Sequence, residues 1–280
     1  MNASPIPVSI IIPAYNEQSS IRRCLLAAVA QTVPAHEILV VDNKSTDRTA
    51  EIVQEFIDLY PDKHIKLLKQ DKAQGLIPTR NFGFANATGE VFGRVDADSV
   101  IEPDWVEVLQ RVFADPEVAA ATGPVGYYDM PLVDFGVAAD NRVRKTMLLL
   151  AKRYRFVFGS NMALRASAWD AIKDSVALDE EDELHEDIDI SVNLAMKELK
   201  VAYEPDMVCG ISARRIENSP KEYLYYVQRF DRTYDRYNVS DPRLRAPAWF
   251  LLAAYFPLKL IRALTRKDRA QSAEAVTAAR

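Results

Sequence analysis

Short β-branched apolar runs alternate with helical segments over the first 122 residues, and this alternation constrains the fold more than any other feature. Each run has four or five residues, which is typical of a buried parallel strand. The alternation predicts an α/β protein whose mostly parallel central sheet has right-handed crossovers and flanking helices. The predicted strands are residues 8–12, 37–41, 65–68, 91–95 and 118–122. A first helix is predicted to begin near Ser19 or Ser20, and three further helices are predicted over 46–59, 75–87 and 103–113.

The second half of the chain lacks this regular alternation. No linker separates two independent units, so we expect one domain over residues 1–237, followed by a helical extension over residues 238–280. The predicted helices are 141–152, a short helix capped by Ser167 that ends at Ile172, 188–199, and a long helix from Ser219-Pro220 to about Tyr237; the predicted strands are 157–164, 201–203 and 207–211.

The composition is that of a globular chain with a sizeable core, since 49% of its 280 residues are apolar. The net charge of −5 argues against a general nucleic-acid-binding protein. Two cysteines, Cys24 and Cys209, do not make a disulfide framework or a zinc site, and they favour a reducing compartment. The N-terminus has neither a basic region nor a long apolar region, so we expect no signal peptide and a cytoplasmic location.

An aromatic-rich apolar segment, residues 246–258, runs into a basic segment that ends near residue 269. No uninterrupted apolar stretch reaches the ~18–20 residues that a membrane-spanning helix needs. The pattern resembles an interfacial anchor that would hold the protein peripherally on the inner face of a membrane through residues 246–269. The alternative is a helix that packs on the domain or against a second subunit, and the sequence does not decide between them.

Two carboxylates, Asp96 and Asp98, follow the apolar run 91–95. Residues one apart point to opposite faces of an ideal strand, so both can serve one site only where the chain bends after the strand. Ligand crevices of open α/β sheets lie at such strand ends. Paired carboxylates suit Mg²⁺ or Mn²⁺, which take hard oxygen ligands and often share them with a substrate phosphate. Because most D-x-D triplets are solvated loop acids, the neighbouring motifs decide the interpretation.

Further motifs accompany the acidic triplet. They are Pro13-Ala14-Tyr15-Asn16-Glu17 after the first strand, Val40-Val41-Asp42-Asn43 and its continuation to Thr49 after the second, Gly75 through Arg80-Asn81, and Glu186-Asp187-Ile188-Asp189-Ile190. In order and spacing the motifs resemble the family 2 glycosyltransferases of the GT-A (nucleotide-diphospho-sugar transferase) fold, over about residues 8–235. The resemblance implies a catalytic domain with a nucleotide-binding half, residues 1–122, and an acceptor half, residues 123–237.

The resemblance implies that the residues after the first two strands bind a nucleotide-sugar donor. Tyr15 would stack on a pyrimidine or border the ribose, and Glu17 would accept hydrogen bonds from ribose hydroxyls. Asp42 would accept the uracil N3–H, and Pro13 belongs to the same donor-binding motif. The alternatives are a half-buried loop aromatic at Tyr15 and a turn residue with a local backbone hydrogen bond at Asp42. Asp47 is expected to support the following helix.

The resemblance also implies a divalent ion on the donor diphosphate. Asp98 would coordinate Mn²⁺ or Mg²⁺, and the ion would neutralise the charge that develops on the departing diphosphate. Asp96 would bond to the ribose or the donor sugar. Arg80 would neutralise phosphate through charge-assisted hydrogen bonds, and the alternative for Arg80 is an ion pair on a helix surface.

Glu186 and Asp187 match the acidic pair that precedes a helix in this family. By resemblance, Asp187 is the candidate general base, which would take the proton from an acceptor hydroxyl as it attacks the anomeric carbon. Attack opposite the leaving nucleotide inverts the anomeric centre. The alternative is that Asp187 and Asp189 only stabilise a helix N-terminus through the helix dipole.

Other residues match the family less closely. Asn161 lies in a segment that resembles the one lining the donor sugar or acceptor. Gln228, Arg229 and Arg232 resemble part of the Q-x-x-R-W element of processive synthases, but Thr233 replaces the tryptophan, which argues against polymer synthesis. An exposed helix with ordinary ion pairs is the alternative for this segment.

The adjacent arginines Arg214 and Arg215 have no motif to assign them. They could bind a diphosphate or an anionic acceptor lipid, or they could be solvated.

The sequence therefore predicts an inverting, metal-dependent hexosyl or N-acetylhexosaminyl transferase. The expected donor is a UDP-sugar, and the expected acceptor is a hydroxyl of a glycan or of a lipid-linked molecule. A sugar-nucleotide nucleotidyltransferase is a second candidate, although such enzymes place a Gly-rich loop where this chain has Pro13-Ala14-Tyr15. A catalytically silent nucleotide-sugar-binding protein is a third, against which the intact acids Asp96, Asp98 and Asp187 argue.

Overall fold

The computed structural model describes residues 5–151, 154–179 and 181–278. Its strands are β1 (Val8–Ala14), β2 (Glu37–Asp42), β3 (Ile65–Lys69), β4 (Val91–Arg94), β5 (Val100–Ile101), β6 (Val118–Thr122), β7 (Val125–Tyr127), β8 (Met162–Arg165), β9 (Lys200–Tyr203) and β10 (Cys209–Ile211). Its α-helices are α1 (Ile21–Val29), α2 (Thr49–Leu59), α3 (Leu76–Asn86), α4 (Trp105–Phe113), α5 (Val133–Ala151), α6 (Ala166–Ile172), α7 (Glu186–Met196), α8 (Pro220–Arg236) and α9 (Ala246–Ala278). Short 3₁₀ turns cover Pro61–Lys63, Ala213–Glu217 and Pro242–Arg245.

The central sheet has the strand order β3-β2-β1-β4-β8-β6-β9. Its neighbouring strands run parallel, except that β8 is antiparallel to both β4 and β6. The predicted α/β architecture, a mostly parallel sheet flanked by helices and followed by a C-terminal helix, is confirmed. A smaller sheet has the order β5-β10-β7, and because β5 follows Asp98 closely, this sheet borders the carboxyl end of β4.

Apolar side chains cover both faces of the central sheet. Ile10 and Ile12 of β1 pack in a cluster with α1, α2 and α4, whereas Ile11 packs in a cluster with α3, α6 and α7. This division follows the two-residue period of a strand, and burial on both faces explains why β1 is apolar at nearly every position. A third cluster joins α7, α8 and α9. The sheet is therefore a fixed platform for the loops at its carboxyl edge.

The segment before β8 differs from its prediction. The strand predicted over 157–164 begins only at Met162 and ends at Arg165. The backbone N–H of Asn161 donates to the carbonyl of Phe158 at 2.8 Å and closes a tight turn. The apolar pattern could not show this turn, whose function in the site is described below.

The two helices on either side of this turn also differ from their predictions. The helix predicted over 141–152 begins already at Val133, and residue 152 lies outside the described residues. Helix α6 begins at Ala166, so Ser167 lies within its first turn and is not the cap. In contrast, the predicted start of α8 is confirmed, because Ser219 and Glu222 form a reciprocal capping box.

Helix α9 is longer than the apolar segment seen in the sequence. Ala248 and Tyr255 pack in the third cluster with α8. Many other large side chains are exposed: Trp249, Phe250, Leu252, Phe256, Leu260, Ile261 and Leu264. Within the described part of the chain, Pro242–Thr265 is the one helical segment whose length and composition would allow it to cross a membrane. The uninterrupted apolar run therefore understated the length of this segment, because one continuous helix joins it to its flanks.

Candidate active site

The carboxyl ends of β1, β2 and β4 bring the predicted donor residues together. Ala14 pairs with Asp42 at the ends of β1 and β2, and Ile11 of β1 pairs with Arg94 at the end of β4. Tyr15 is 53% exposed just beyond β1, whereas Asp42 is buried and its carboxylate accepts the N–H of Ser45 at 3.2 Å. The local hydrogen bond considered as an alternative for Asp42 is thus present, and it fixes the direction of the side chain. Pro13 is buried within β1.

The loops after β1 and β2 support each other through side chains. The backbone N–H of Glu17 donates to the hydroxyl of Thr49 at 2.8 Å. Asp47 accepts the N–H groups of Thr49 and Gln18 at 2.9 Å and 3.0 Å. The predicted supporting role of Asp47 is confirmed, and these bonds hold Glu17 in place at the edge of the site.

Arg94 is the central cation of the site, and the sequence analysis missed it. It is 1% exposed, and its guanidinium contacts Asp96 at 2.6 Å and Glu186 at 2.9 Å. Asp96, Asp98, Glu186 and Asp187 all stabilise its charge, which raises the pKa of Arg94 against the effect of burial. Acids that lie about 90 residues apart in the sequence therefore converge around one guanidinium. The available signal was a charged residue at the end of an otherwise apolar strand.

Arg80 corrects an expectation, because it does not reach the surface of the cleft. Its side chain is fully buried, and it donates to the carbonyl of Glu186 at 2.7 Å and to the Glu186 carboxylate at 3.1 Å. Its Nε and Nη2 atoms donate to the side-chain oxygen of Asn81 at 3.0 Å and 2.8 Å. Since Glu186 and Asp189 are themselves buried, a buried cation behind them is needed to balance their charge. Arg80 therefore supports the acidic pair from the interior of the protein, and its guanidinium is not exposed to a substrate phosphate.

Asp187 lies at the N-terminus of α7 with both carboxylate oxygens held. It accepts the N–H of Gly159 at 3.1 Å and the N–H of Ile188 at 2.8 Å, and its side chain is 20% exposed. Burial raises the pKa of Asp187, while the Gly159 N–H and Arg94 oppose this effect. An oriented, partly accessible carboxylate whose pKa is shifted toward neutrality has the properties of a general base.

The turn at Gly159 has room only for glycine. A Cβ atom there would lie 2.1 Å from the Glu186 carboxylate and 2.5 Å from the Arg94 guanidinium. The close approach lets the Gly159 N–H reach Asp187 while Glu186 and Arg94 pair beside it. The steric reason for this glycine depends on residues from other parts of the chain and cannot be read from the sequence around it.

Asp98 is buried beside Asp96 and is partly neutralised by an arginine. Burial first, and then the neighbouring Asp96, raises the pKa of Asp98 to about 6, while Arg214 lowers it. The Arg214 Nε lies 3.0 Å from the Asp98 carboxylate, and the same guanidinium pairs with Glu17. Among the described residues no ready-made group of three metal-ligating side chains occurs. The carboxylate oxygens of Asp96 and Asp98 nevertheless fit a hard cation that takes further ligands from a substrate diphosphate, because such an ion would relieve the repulsion between the two neighbouring acids.

Arg215 adds a second cation next to the carboxylates. Its guanidinium lies 4.0 Å from the centre of the Tyr226 ring, and Asp96 and Asp98 raise its pKa together with Tyr226. The ion pairs found among the described residues include Arg214 but not Arg215. Arg215 thus has guanidinium donors available for an anion near Asp98.

The side chains of His185 and Asn161 are both buried among protein groups. Burial, followed by the nearby Arg215, lowers the pKa of His185 to about 3, so its imidazole is neutral at neutral pH. The Asn161 side chain is fully buried and is bonded to Trp105 at 2.9 Å and to the carbonyls of Pro124 and Met207. Asn161 therefore secures the turn before β8, and its buried amide group is bonded to protein groups, contrary to expectation.

The predicted residues of α8 fix a nearby acidic segment. Arg229 forms a two-bond pair with Asp182 at 3.1 Å and 2.7 Å, and Arg232 donates to the carbonyl of Glu183 at 3.0 Å. Gln228 is exposed. The arginines thus attach the loop that precedes Glu186 to α8, which matches the ion-pair alternative considered for this helix.

Comparison with known proteins identifies the family. The sequence profile of glycosyl transferase family 2 matches residues 9–172, and that of glycosyl transferase family group 2 matches residues 94–273. The chain belongs to glycosyl transferase family 2. The predicted family is confirmed, and the residues of the candidate site lie within the region that the two profiles cover together.

Several curated relatives of this family 2 protein are similar over part of their length. It is 39% identical over 102 residues to glycosyltransferase AglE of Haloferax volcanii, covering 36% of this chain and 33% of AglE. It is 36% identical over 121 residues to glycosyltransferase GlyA of Streptococcus pneumoniae, covering 43% of this chain and 17% of GlyA. The chain thus spans a third or less of the length of these two relatives.

Solved structures share the fold. The mannosyltransferase PcManGT from Pyrobaculum calidifontis, in complex with GDP-Man and Mn²⁺, matches with a TM-score of 0.63 and 21% identity over 99% of this chain and 82% of PcManGT. S. aureus TarS 1-349 in complex with UDP-GlcNAc matches with a TM-score of 0.61 and 18% identity over 90% of this chain and 72% of that structure. The GT-A fold of this family 2 protein is therefore confirmed.

Proposed function

We propose that this protein is an inverting glycosyltransferase that moves a sugar from a nucleotide-sugar to a hydroxyl group. The observation that carries the proposal is the position of Asp187: Arg94 pairs with Asp96 and with Glu186, the residue before Asp187, while backbone N–H groups hold both Asp187 oxygens. The proposed base and the acidic residues proposed for the donor then lie in one site, as transfer requires.

On the donor side, the exposed ring of Tyr15 would contact the base or ribose, and Asp42 and Glu17 would accept hydrogen bonds from the nucleoside. Asp96 would bond to the ribose or sugar, and Arg215 would donate to the phosphates. Mn²⁺ or Mg²⁺, held by Asp98, would supply Lewis-acid stabilisation of the leaving diphosphate. Support comes from PcManGT and TarS, whose structures contain a nucleotide-sugar, with Mn²⁺ in PcManGT. We propose a UDP-sugar as the donor.

On the acceptor side, Asp187 would remove the proton of the attacking hydroxyl. The hydroxyl oxygen would form a bond to the anomeric carbon as the bond to the nucleotide oxygen breaks, and the proton would stay on Asp187. Attack on the face opposite the leaving group inverts the anomeric configuration. Burial favours this role, because it raises the pKa of Asp187 and makes the carboxylate a stronger base.

The test combines a donor screen with a base variant. Purified protein and Mn²⁺ are incubated with a set of nucleotide-sugars, and nucleotide release is followed. The variant Asp187→Asn should keep donor affinity but lose about 10²–10⁴-fold in turnover, since only the proton acceptor is removed. Asp206→Asn, at an exposed carboxylate paired with Arg111, is the matched control and should behave as wild type.

Three outcomes would contradict the proposal. Normal turnover by Asp187→Asn would place the base elsewhere. Pyrophosphate-dependent formation of a nucleoside triphosphate would indicate a nucleotidyltransferase. Tight binding of every donor without turnover would indicate a silent binding protein.

We also propose that α9 brings the enzyme to a membrane that carries a lipid-linked acceptor. Trp249 and Phe256 are seven residues apart, so they lie on one side of the helix, and they are 62% and 67% exposed. An apolar cavity of about 480 Å³ between α5 and α9, with Phe250 in its lining, adds to this surface. Basic residues follow in the sequence, as they do in interfacial anchors.

Vesicle flotation tests this membrane contact. Wild type should float with vesicles of anionic phospholipid, whereas the double variant Trp249→Glu, Phe256→Glu should stay in the soluble fraction. Leu59→Glu, at an exposed apolar residue of α2, is the control and should float. Failure of the wild-type protein to bind vesicles would contradict the proposal. If the wild-type protein is a dimer and the double variant is a monomer, the alternative of a second subunit would be favoured.

A further inference from the structure

Arg214 bridges two acidic residues that follow two neighbouring strands, β1 and β4. Its guanidinium pairs with Glu17, from the loop after β1, and its Nε lies 3.0 Å from Asp98, from the loop after β4. Its side chain is 49% exposed, whereas those of Glu17 and Asp98 are 12% and 11% exposed. A partly exposed cation thus covers two largely buried carboxylates.

The backbone of the turn that carries Arg214 is anchored without the Arg214 side chain. Asp129 accepts the hydroxyl of Ser212 at 2.7 Å and the N–H of Ala213 at 2.8 Å. Arg262 of α9 reaches the same segment and pairs with Asp129 at 2.9 Å and Glu217 at 2.8 Å. The turn therefore stays in position if the Arg214 side chain moves, and a substitution there should leave the fold intact.

Crowding of carboxylates explains why a cation is needed in this place. Asp98 lies beside Asp96, and the negative charge of Glu17 acts on it as well. Arginine cannot lose its proton under ordinary conditions, so Arg214 can make room for another cation only by moving. A divalent ion on Asp98 would compete with Arg214 for the carboxylate oxygen that lies 3.0 Å from the Arg214 Nε, and the two positive charges would repel each other.

We propose that Arg214 is a built-in counter-cation that competes with the divalent ion for Asp98 and transfers its hydrogen bonds to the donor diphosphate when metal and nucleotide bind together. This inference rests on the proposed function for the identity of the ligand, a nucleoside diphosphate with a divalent ion. It implies that the metal alone binds weakly and that the metal and the nucleotide bind with positive coupling. Coupling of this kind is reciprocal, so each ligand strengthens the other by the same factor.

Mn²⁺ binding provides a test that requires no turnover. The free Mn²⁺ signal in electron paramagnetic resonance gives the affinity of the full chain for Mn²⁺ alone and with saturating UDP. Arg214→Gln should bind Mn²⁺ alone about tenfold more tightly than wild type and should lose most of the gain in affinity that UDP produces, within the usual range of such coupling. Arg214→Lys, which keeps the charge, should lie between the two.

The control variant is Arg111→Gln, at an exposed arginine that pairs with Asp206 and Glu204 away from the acidic site. It should bind Mn²⁺ as wild type does. Thermal unfolding monitored by circular dichroism shows whether each variant is folded, and Arg214→Lys provides the comparison if Arg214→Gln is not. Equal or weaker binding of Mn²⁺ alone by the folded Arg214 variants would overturn the inference.

This result is separable from the proposed function. If no nucleotide-sugar is turned over but Arg214→Gln still gains affinity for Mn²⁺, the transferase proposal fails and the counter-cation role stands. If nucleotide is released normally by wild type and the Arg214 variants show unchanged Mn²⁺ affinity and unchanged coupling to UDP, the counter-cation role fails and the transferase proposal stands.

Discussion

A single missing methyl group at residue 159 allows Asp187 and Glu186 to lie side by side next to Arg94. Substitution Gly159→Ala would place a Cβ atom 2.1 Å from the Glu186 carboxylate, so the carboxylate or the turn must move. Since a displacement of about 1 Å in a site can cost about 10²-fold in rate, we expect a loss of that order in kcat. Steady-state nucleotide release measures the effect.

Gly136→Ala is the matched control, because a Cβ atom at this position of α5 meets nothing within 4 Å. Alanine is the better helix former by up to about 1 kcal/mol, so this variant should keep its activity and be slightly more stable. Wild-type activity of Gly159→Ala would mean that the close approach at this turn does not position Asp187.

At the same scale, charge type was predictable from the sequence but side-chain position was not. Arg80 lies in one of the motifs and Arg94 in the apolar run 91–95, and the resemblance favoured Arg80 as the residue near the donor phosphates. The fold places Arg80 behind Glu186 and places Arg94 between Glu186 and Asp96. The direction of an arginine depends on which buried carboxylates need a counter-charge, and these come from distant parts of the chain.

At the scale of elements, the start of α8 matters because this helix carries the arginines that hold the acidic loop. Ser219→Ala removes the cap that accepts the N–H of Glu222, so we expect a loss of about 1 kcal/mol in the free energy of unfolding. The melting temperature should fall by about 2–4 °C per kcal/mol. Differential scanning calorimetry measures the melting temperature. The control is Ser240→Ala, at an exposed serine outside any helix, which should leave the melting temperature unchanged.

The elements themselves were predictable to different degrees. β1, β2 and β6 are β-branched or small apolar runs buried on both faces, so composition identified them nearly to the residue. Two features between residues 124 and 161 were not predicted: β7 has only three residues, and the turn before β8 is fixed by contacts with Glu186 and Arg94. Elements defined by tertiary contacts leave no periodic pattern.

At the scale of the whole molecule, Glu37 ties together the amino end of the sheet, opposite the site. It accepts hydrogen bonds from Ser9, Lys66 and Thr88, and these bonds lower its pKa from 4.5 to about 2 despite burial. A lowered pKa in the folded state means that the stabilisation is complete above about pH 4.5 and is lost as the pH falls toward 2.

Glu37→Gln should therefore lower the free energy of unfolding at pH 7 by about 1–3 kcal/mol, because charged hydrogen bonds are lost. The difference from wild type should shrink between pH 4.5 and 2, since the wild-type carboxylate becomes protonated there. Urea unfolding at several pH values measures it. Glu55→Gln, at an exposed ion pair, should show little change at any pH. A constant Glu37→Gln difference across that range would contradict the assigned pKa.

The sequence by itself determined the alternation of strands and helices, the family, and the strand ends at which the acids lie. Those features depend on local periodicity and on motif order, which the chain carries directly. Only the tertiary structure decided that Arg94 is the shared cation, that Gly159 orients Asp187 and that Arg214 covers Asp98. These contacts join residues far apart in the chain, and their geometry follows from how the buried charges are balanced once the sheet has formed.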